Sequence, residues 1–269
     1  MTNEADHPRF TVIVVPLDLE PDHDRAVAAA AVLAILGDVP IVLVTVSSPG
    51  LPDVTDRIDL RRTAEEHRLD QWSSVVLHDN DPARALSAYV RGLEAPLVVI
   101  ATGVRGAISG LSSADITADL LGEIGSPALV LGPHVPETWQ PRQSQLICCV
   151  PRGETSAAVT PWTARWLATF GGTNPRFVSV VPSDARANDA TPNDQVADPG
   201  GRHTDWTLVH DDDVVNGLLV FAADLAEGVL VVSSERWSDD TRLHRHSIAR
   251  HLAHTATVPV LVVPRAAVT

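Results

Sequence analysis

The sequence predicts an α/β protein of two repeated units, each a five-stranded parallel open sheet with helices on both faces. Three observations predict it. Short apolar, β-branched runs alternate with longer helix-forming segments from residue 11 onward. That alternation implies parallel strands joined by right-handed crossovers. Residues 97–133, LVVIATGVRGAISGLSSADITADLLGEIGSPALVLGP, read as strand, glycine loop, helix and strand. Finally, His78-Asp79-Asn80-Asp81 recurs as His210-Asp211-Asp212-Asp213, an offset of 132 residues (210 − 78). The same offset carries Leu86 to Leu218, Ile116 to Ile248, Pro127 to Pro259 and Leu129 to Leu261. An ungapped, constant offset of this kind marks a duplication.

In chain order, 11–15 (TVIVV) is a strand ended by Pro16-Leu17-Asp18. Pro21 and Asp24 open an alanine-rich helix, 25–36, which Gly37 closes. A second strand, 41–46, follows Pro40. The charged segment 55–69 reads as a solvent-facing helix with Ile58 and Leu60 among its few apolar residues. Residues 74–77 form a third strand. Asp79, Asn80 or Asp81 caps the next helix, which has Pro82 at its first position and runs to about residue 93. The strand 97–101 breaks at Gly103 and Gly106. Ser112, Ser113 and Asp115 are candidate caps for a helix through about residue 124, and 128–131 is the fifth strand.

The second copy aligns upstream with a small shift: TVIVVP ends at Pro16 and LICCVP at Pro151. The units span 1–133 and 145–269, with the proline-bearing stretch 134–144 as linker. Between its second and third strands the second copy carries 182–206, rich in Asp, Asn, Pro, Gly and Ala, a predicted long loop. Trp162 and Trp166, four apart, share a helix face and predict core or inter-unit packing. The last strand, 258–263, would bury its edge by pairing. Pairing of the two units within the chain, or of two chains as a homodimer, is therefore expected.

The formal net charge of −14 disfavours nucleic acid and anionic membranes as partners. No run of 18 apolar residues occurs, and the first ten residues are polar and acidic rather than a secretory signal. Cys148 and Cys149 are adjacent in a strand-like run, so their side chains face opposite ways and predict buried, reduced thiols in a cytoplasmic protein.

With these residues assembled, the chain resembles a tandem universal stress protein, of the adenine nucleotide alpha hydrolase-like fold. The resemblance spans nearly the whole sequence and rests on 13–18 (IVVPLD), 101–106 (ATGVRG) and 258–264 (VPVLVVP). Members that bind ATP carry Gly-x-x-Gly, nine residues, then Gly-Ser or Gly-Thr. The resemblance implies a stress-response protein, with adenine nucleotide, ATP with Mg²⁺, held in the first unit at Pro16, Leu17, Asp18, Val46, Gly103, Gly106 and Thr117. Asp18 would accept from ribose or adenine. Val46 would touch the base. The backbone at Gly103 and Gly106, with Thr117, would receive phosphates.

Two registers remain open for the last part of this pattern. Nine residues separate Gly106 from Ile116-Thr117; counting back from Pro127 instead places Ala114-Asp115 there. Neither retains the third glycine, and the second sets a carboxylate toward phosphate. The second unit has Pro151-Arg152-Gly153 where Asp18 sits, Ser234-Glu235-Arg236-Trp237 in place of the glycine loop, and His246-Ser247 at the Gly-Ser register. No nucleotide is expected there.

Remaining constellations are weaker. His244, His246, His251 and His254 surround the last helix without a nearby acidic or cysteine partner beyond Asp239-Asp240, so no metal site is predicted. His78 and His210 each end a strand before an aspartate-rich turn, which suggests a shared structural task. Neither a Gly-x-Ser-x-Gly elbow nor a P-loop is present, so a binding protein rather than an enzyme is expected. The alternative is a scaffold or dimerisation protein whose degenerate sites bind no nucleotide.

Overall fold

The computed structural model describes residues 8–17, 24–102, 124–141, 145–151, 156–185, 205–223, 225, 228–233 and 248–264. The strands are β1 (Val12–Pro16), β2 (Ile41–Ser47), β3 (Trp72–His78), β4 (Pro96–Ala101), β5 (Ala128–Leu131), β6 (Gln145–Cys149), β7 (Arg176–Val181), β8 (Asp205–His210), β9 (Gly228–Ser233) and β10 (Val260–Val263). The helices are α1 (Asp24–Gly37), α2 (Val54–Glu66), α3 (Pro82–Arg91), α4 (Thr160–Phe170), α5 (Val214–Ala223) and α6 (Ile248–Thr255). All ten strands lie in one sheet, ordered β3-β2-β1-β4-β5-β10-β9-β6-β7-β8. The two halves of that order mirror each other, and within each half every pairing is parallel.

The apolar runs become strands because both faces of the sheet are covered. Alternation divides their side chains. Ile13, Val15, Leu43, Leu97, Leu129, Leu146 and Leu261 enter one core with α1, α2 and α4. Val14, Val44, Val98, Val130, Ile147 and Val262 enter the other with α3, α5 and α6. Cys148 and Cys149 therefore sit on opposite faces, both buried and free. Burial pushes the Cys148 thiol up to about 12, with a 3.2 Å contact to Thr163 Oγ1 opposing that rise, and pushes Cys149 higher still. We expect neither thiol to react with an aromatic disulfide reagent in the native protein and both to react after denaturation, as read by absorbance. Rapid labelling of the folded chain would contradict this burial.

The halves meet at the one antiparallel pairing. β10 pairs β5 with Leu261 opposite Leu129, Val260 opposite Val130 and Val262 opposite Ala128. Leu129 and Leu261 are related by the sequence offset of 132 residues (261 − 129). Each thus faces its own duplicate, and the remaining pairs exchange roles about that point. This is the geometry of a two-fold dimer interface inside one chain. The expectation of pairing through the last strand is met intramolecularly.

The contact continues beyond the ladder. Gly132, just past β5, lies so close to α6 that an added Cβ would be 2.2 Å from the Ala253 carbonyl oxygen. On the α1 side, Arg9 donates to the carbonyls of Gly37 (2.9 Å) and Thr169 (3.4 Å), and Phe10 N–H donates to Thr169 Oγ1 (2.9 Å). Phe10 stacks on Phe170 at 5.8 Å, and Trp166 meets Phe170 edge-on at 4.9 Å. Trp166 is 1% exposed, while Trp162 donates from its indole N–H to the Pro264 carbonyl at 2.9 Å. The helix face shared by Trp162, Trp166 and Phe170 thus packs within the second unit and, through Phe170, against Phe10 of the first. The predicted linker is packed as well: Val135 and Trp139 join the core, and Arg25 donates to the carbonyls of Gly132 (2.9 Å) and Val135 (2.5 Å).

The duplicated aspartates explain the repeat at 78–81 and 210–213. Asp79 Oδ1 accepts from Asp81 N–H (3.0 Å) and Asp211 Oδ1 accepts from Asp213 N–H (2.8 Å). Asp81 then caps α3 through Arg84 N–H (3.1 Å), and Asp213 caps α5 through Val215 N–H (2.8 Å) and Asn216 N–H (3.2 Å). His78 and His210 are exposed, so the shared task falls to the carboxylates. We expect Asp81→Ala and Asp213→Ala each to cost about 1 kcal/mol in urea unfolding. Their costs should add, because β3 and β8 are at opposite edges of the sheet. Backbone N–H groups, then Arg84, hold Asp79 below the ordinary carboxylate value; the Asp213 N–H, then Asn216, do so for Asp211. Depressed native pKa values make this contribution complete above the ordinary value near 3.8 and lost as pH falls through the native one.

Elements differ from the sequence expectation mainly at their ends. β3 is longer than 74–77, because its pairing with β2 runs from Trp72 to His78. α2 stops at Glu66, since Arg68 adopts φ 52° and lets Leu69 N–H return to the Ala64 carbonyl at 3.0 Å. On α2, Leu60 is fully buried whereas Ile58 is 59% exposed. β10 begins at Val260, with Val258 buried before it. The predicted helix through residue 124 and most of 182–206 lie outside the described residues.

Candidate functional site

In the order β3-β2-β1-β4-β5, the chain winds one way from β1 to β2 and the other way to β4. That reversal leaves a crevice between the C-terminal ends of β1 and β4, where open α/β sheets bind ligands. The two strands are parallel and in step, with Val14 opposite Val98, so both end at the same edge. The second half has the same reversal between β6 and β9.

Three residues named by the resemblance are described here, Pro16 and Val46 on strands and Leu17 directly after β1. Pro16 ends β1 opposite Val44 of β2 and is partly exposed. Leu17 N–H donates to the Val44 carbonyl at 2.7 Å, but its side chain is buried in the α1-side core. Its backbone, not its side chain, therefore borders the crevice. Val46 stands two residues beyond the Val44 position, so β2 projects past the end of β1. The Val46 side chain packs against the α3-side core and is partly exposed. Asp18, Gly103, Gly106 and Thr117 lie outside the described residues, as do Ala114-Asp115 and Ile116. So do Arg152-Gly153, 234–237 and His246-Ser247 of the second unit.

Thr102 belongs to the ATGVRG stretch of the resemblance but is not among the site residues it implies. It follows β4 directly, is 5% exposed, and its N–H donates to the Leu131 carbonyl at 2.9 Å. Its hydroxyl has no hydrogen-bond partner among the described residues. The available signal was its position as the first hydroxyl after an unbroken apolar strand.

Carboxylates on the β2–β3 side of this edge are engaged. Ser47 Oγ donates to Asp56 Oδ2, Arg57 Nε donates to Asp53 Oδ2 at 2.7 Å, and Arg84 Nη2 donates to both Asp79 oxygens at 2.7 Å. The Arg57 hydrogen bond is the largest cause holding Asp53 below its ordinary value. Arginines thus offset the negative charge that would repel an anionic ligand. His251 and His254 are on α6; His244 and His246 are outside the described residues. Among the described residues no group of three or more His, Cys, Asp or Glu is placed to hold a metal ion. Among them, too, no helix is long and apolar enough to cross a membrane.

This arrangement defines a doubly wound sheet with a switch-point crevice in each half. Solved structures share this fold over almost their whole length. A universal stress protein from Archaeoglobus fulgidus DSM 4304 matches with TM-score 0.65 at 14% identity, covering 95% of this chain and 98% of that one. A chain from Pseudomonas aeruginosa UCBPP-PA14 described as a universal stress protein matches with TM-score 0.59 at 15% identity, covering 97% and 95%. A protein of unknown function from Pseudomonas aeruginosa PAO1 matches with TM-score 0.64 at 16% identity, covering 95% and 93%. No protein-family model and no curated protein matches the sequence. The chain has the universal stress protein fold.

Proposed function

We propose that the protein is a stress-response binding protein of the universal stress type, whose first half takes ATP with Mg²⁺ in the crevice between β1 and β4. The observation that supports this most is the meeting of Pro16, Leu17 and Val46 at one sheet edge beside the end of β4, the strand that precedes the Gly-x-x-Gly motif in sequence. Asp18 would accept from the nucleoside and Val46 would border the base. The Gly103 and Gly106 backbone, with Thr117, would receive phosphates beside the cation. The second half acts as support, and bound ATP is held rather than turned over. The net charge of −14 fits a cytoplasmic protein without nucleic-acid or membrane partners.

Isothermal titration with ATP and Mg²⁺ tests this reading. Saturable heat is expected, weakened at least tenfold in Asp18→Ala, with ATP recovered intact. No heat at millimolar ligand sinks the nucleotide reading and leaves the fold untouched. A second reading is favoured by the β5–β10 pairing, which joins the inner edges of the two halves inside one chain. In it the protein is a ligand-free scaffold, and ATP leaves its melting curve unchanged.

A further inference from the structure

We infer that the outer edge of β3, with the exposed stripe of α2 beside it, is a docking surface for a second copy of this chain, paired antiparallel about a two-fold axis through Val75. The inference is independent of the nucleotide reading, and it concerns the opposite end of the sheet half from β5.

β3 ends the ten-strand order, so among the described residues no strand lies outside it. Its inward bonds fix which groups look outward. The Gln71 carbonyl accepts from Ile41 N–H at 2.8 Å, and Asp79 N–H donates to the Ser47 carbonyl at 3.1 Å. Odd-numbered residues therefore face β2. In a strand the N–H and C=O of one residue share a side, and the sides alternate along the chain. Trp72, Ser74, Val76 and His78 thus present both groups to the open side. Such an edge pairs with another strand unless charge, proline or a bulge blocks it. β3 (WSSVVLH) has seven residues and no Lys, Arg, Asp, Glu, Pro or Gly. β8, at the far edge, begins on Asp205.

The neighbouring helix continues the surface. Leu51, Val54 and Ile58 are 59%, 62% and 59% exposed and recur at helical spacing. The flank of α2 with Asp59, Thr63 and His67 turns to α1: Thr63 is buried, and His67 Nε2 lies 3.1 Å from Asp24 Oδ1. At about 100° per residue Val54 stands opposite that flank, with Ile58 and Leu51 next to it, toward the β3 edge.

A second copy fits both parts at once. With Val75 opposite its own counterpart, Trp72 meets His78 and Ser74 meets Val76, so every outward N–H and C=O finds a partner. The chain already joins two sheets in this way, with Leu129 facing its duplicate Leu261. A two-fold axis perpendicular to the sheet keeps equivalent helices on one face, as it does for α1 and α4. The α2 stripes of the two copies would then meet. The net charge of −14 opposes the approach of copies, and neither β3 nor the stripe adds to it. Salt should therefore strengthen the association.

Sedimentation velocity on the full chain, with a melting curve for each variant, tests this. Wild type should dimerise, more tightly at about 500 mM salt than at about 50 mM. Ser74→Pro removes an outward N–H and leaves the β2 ladder intact. It should weaken the dimer about tenfold or more without lowering the melting temperature. Val54→Glu combined with Ile58→Glu, both at exposed positions, should do the same. Mild oxidation of Val75→Cys should link two copies, because facing residues on the axis bring their Cα atoms within disulfide reach; Ser73→Cys should not link. A wild type that stays monomeric at about 100 µM overturns the inference. So does a dimer that the α2 double variant leaves unchanged, or one in which Val75→Cys forms no link. If Ser74→Pro fails to fold, the α2 variant and the Val75→Cys link decide between these outcomes.

Discussion

Gly132→Ala is expected to destabilise the chain by about 2–3 kcal/mol, far beyond the cost of a glycine-to-alanine change in open space. The added Cβ would lie 2.2 Å from the Ala253 carbonyl oxygen, and 3.3 Å from its carbon. Backbone cannot swing aside like the tip of a flexible side chain. Either α6 moves off the sheet or β5 shifts against β10. Each outcome opens the core where Leu129, Leu261 and Ala253 are buried. Gly50→Ala supplies the comparison. Gly50 has φ +86° and nothing within 4 Å of an added Cβ, so only backbone strain of about 1 kcal/mol is at stake. Urea unfolding of the two variants checks the claim. Equal midpoints would mean that the close approach of Gly132 to α6 does not carry stability.

Trp166→Ala is expected to cost about 3–5 kcal/mol, the range for deleting a fully buried large aromatic. Trp166 packs edge-on against Phe170, which in turn stacks with Phe10. Phe10 precedes β1 of the first unit, whereas Trp166 and Phe170 belong to α4 of the second. The loss should therefore lower the midpoint of one transition for the whole chain, followed by circular dichroism and tryptophan fluorescence together. Phe10→Ala and Trp166→Ala should combine non-additively, because both lean on Phe170. Probes that separate into two transitions, with the first unit's midpoint unmoved, would show that the ring cluster does not couple the halves.

The architecture was legible because parallel strands covered on both faces must be almost wholly apolar. TVIVV, LVVIA and VLVV announce themselves without any partner in view. The offset that relates Leu129 to Leu261 also announced the duplication. That these two residues would face each other required the register of β5 on β10, which no local pattern encodes. Ile58 and Leu60 show a smaller limit. Both are apolar residues in a charged helix, and only the position of the sheet decides that Leu60 turns inward.

The candidate site was less legible for a physical reason. Gly-x-x-Gly is a weak pattern, because glycines and hydroxyls serve turns as readily as ligands. Pro16 could be placed because it ends β1, Leu17 because it follows directly and bonds to β2, and Val46 because it stands next to the end of β2. Asp18, Gly103, Gly106 and Thr117 could not be placed by the same means. Thr102 is not among the implied site residues, since a threonine closing a β run looks ordinary until its hydroxyl is seen to be buried.

A homodimer must spend every substitution twice, once on each side of its axis. Here the dyad through Leu129 and Leu261 runs inside a single polypeptide, and that obligation disappears. Positions 132 and 264 are counterparts, yet one is glycine pressed against a helix and the other is proline whose carbonyl receives an indole. Fusion thus lets the two lobes diverge residue by residue without dissolving the seam that joins them.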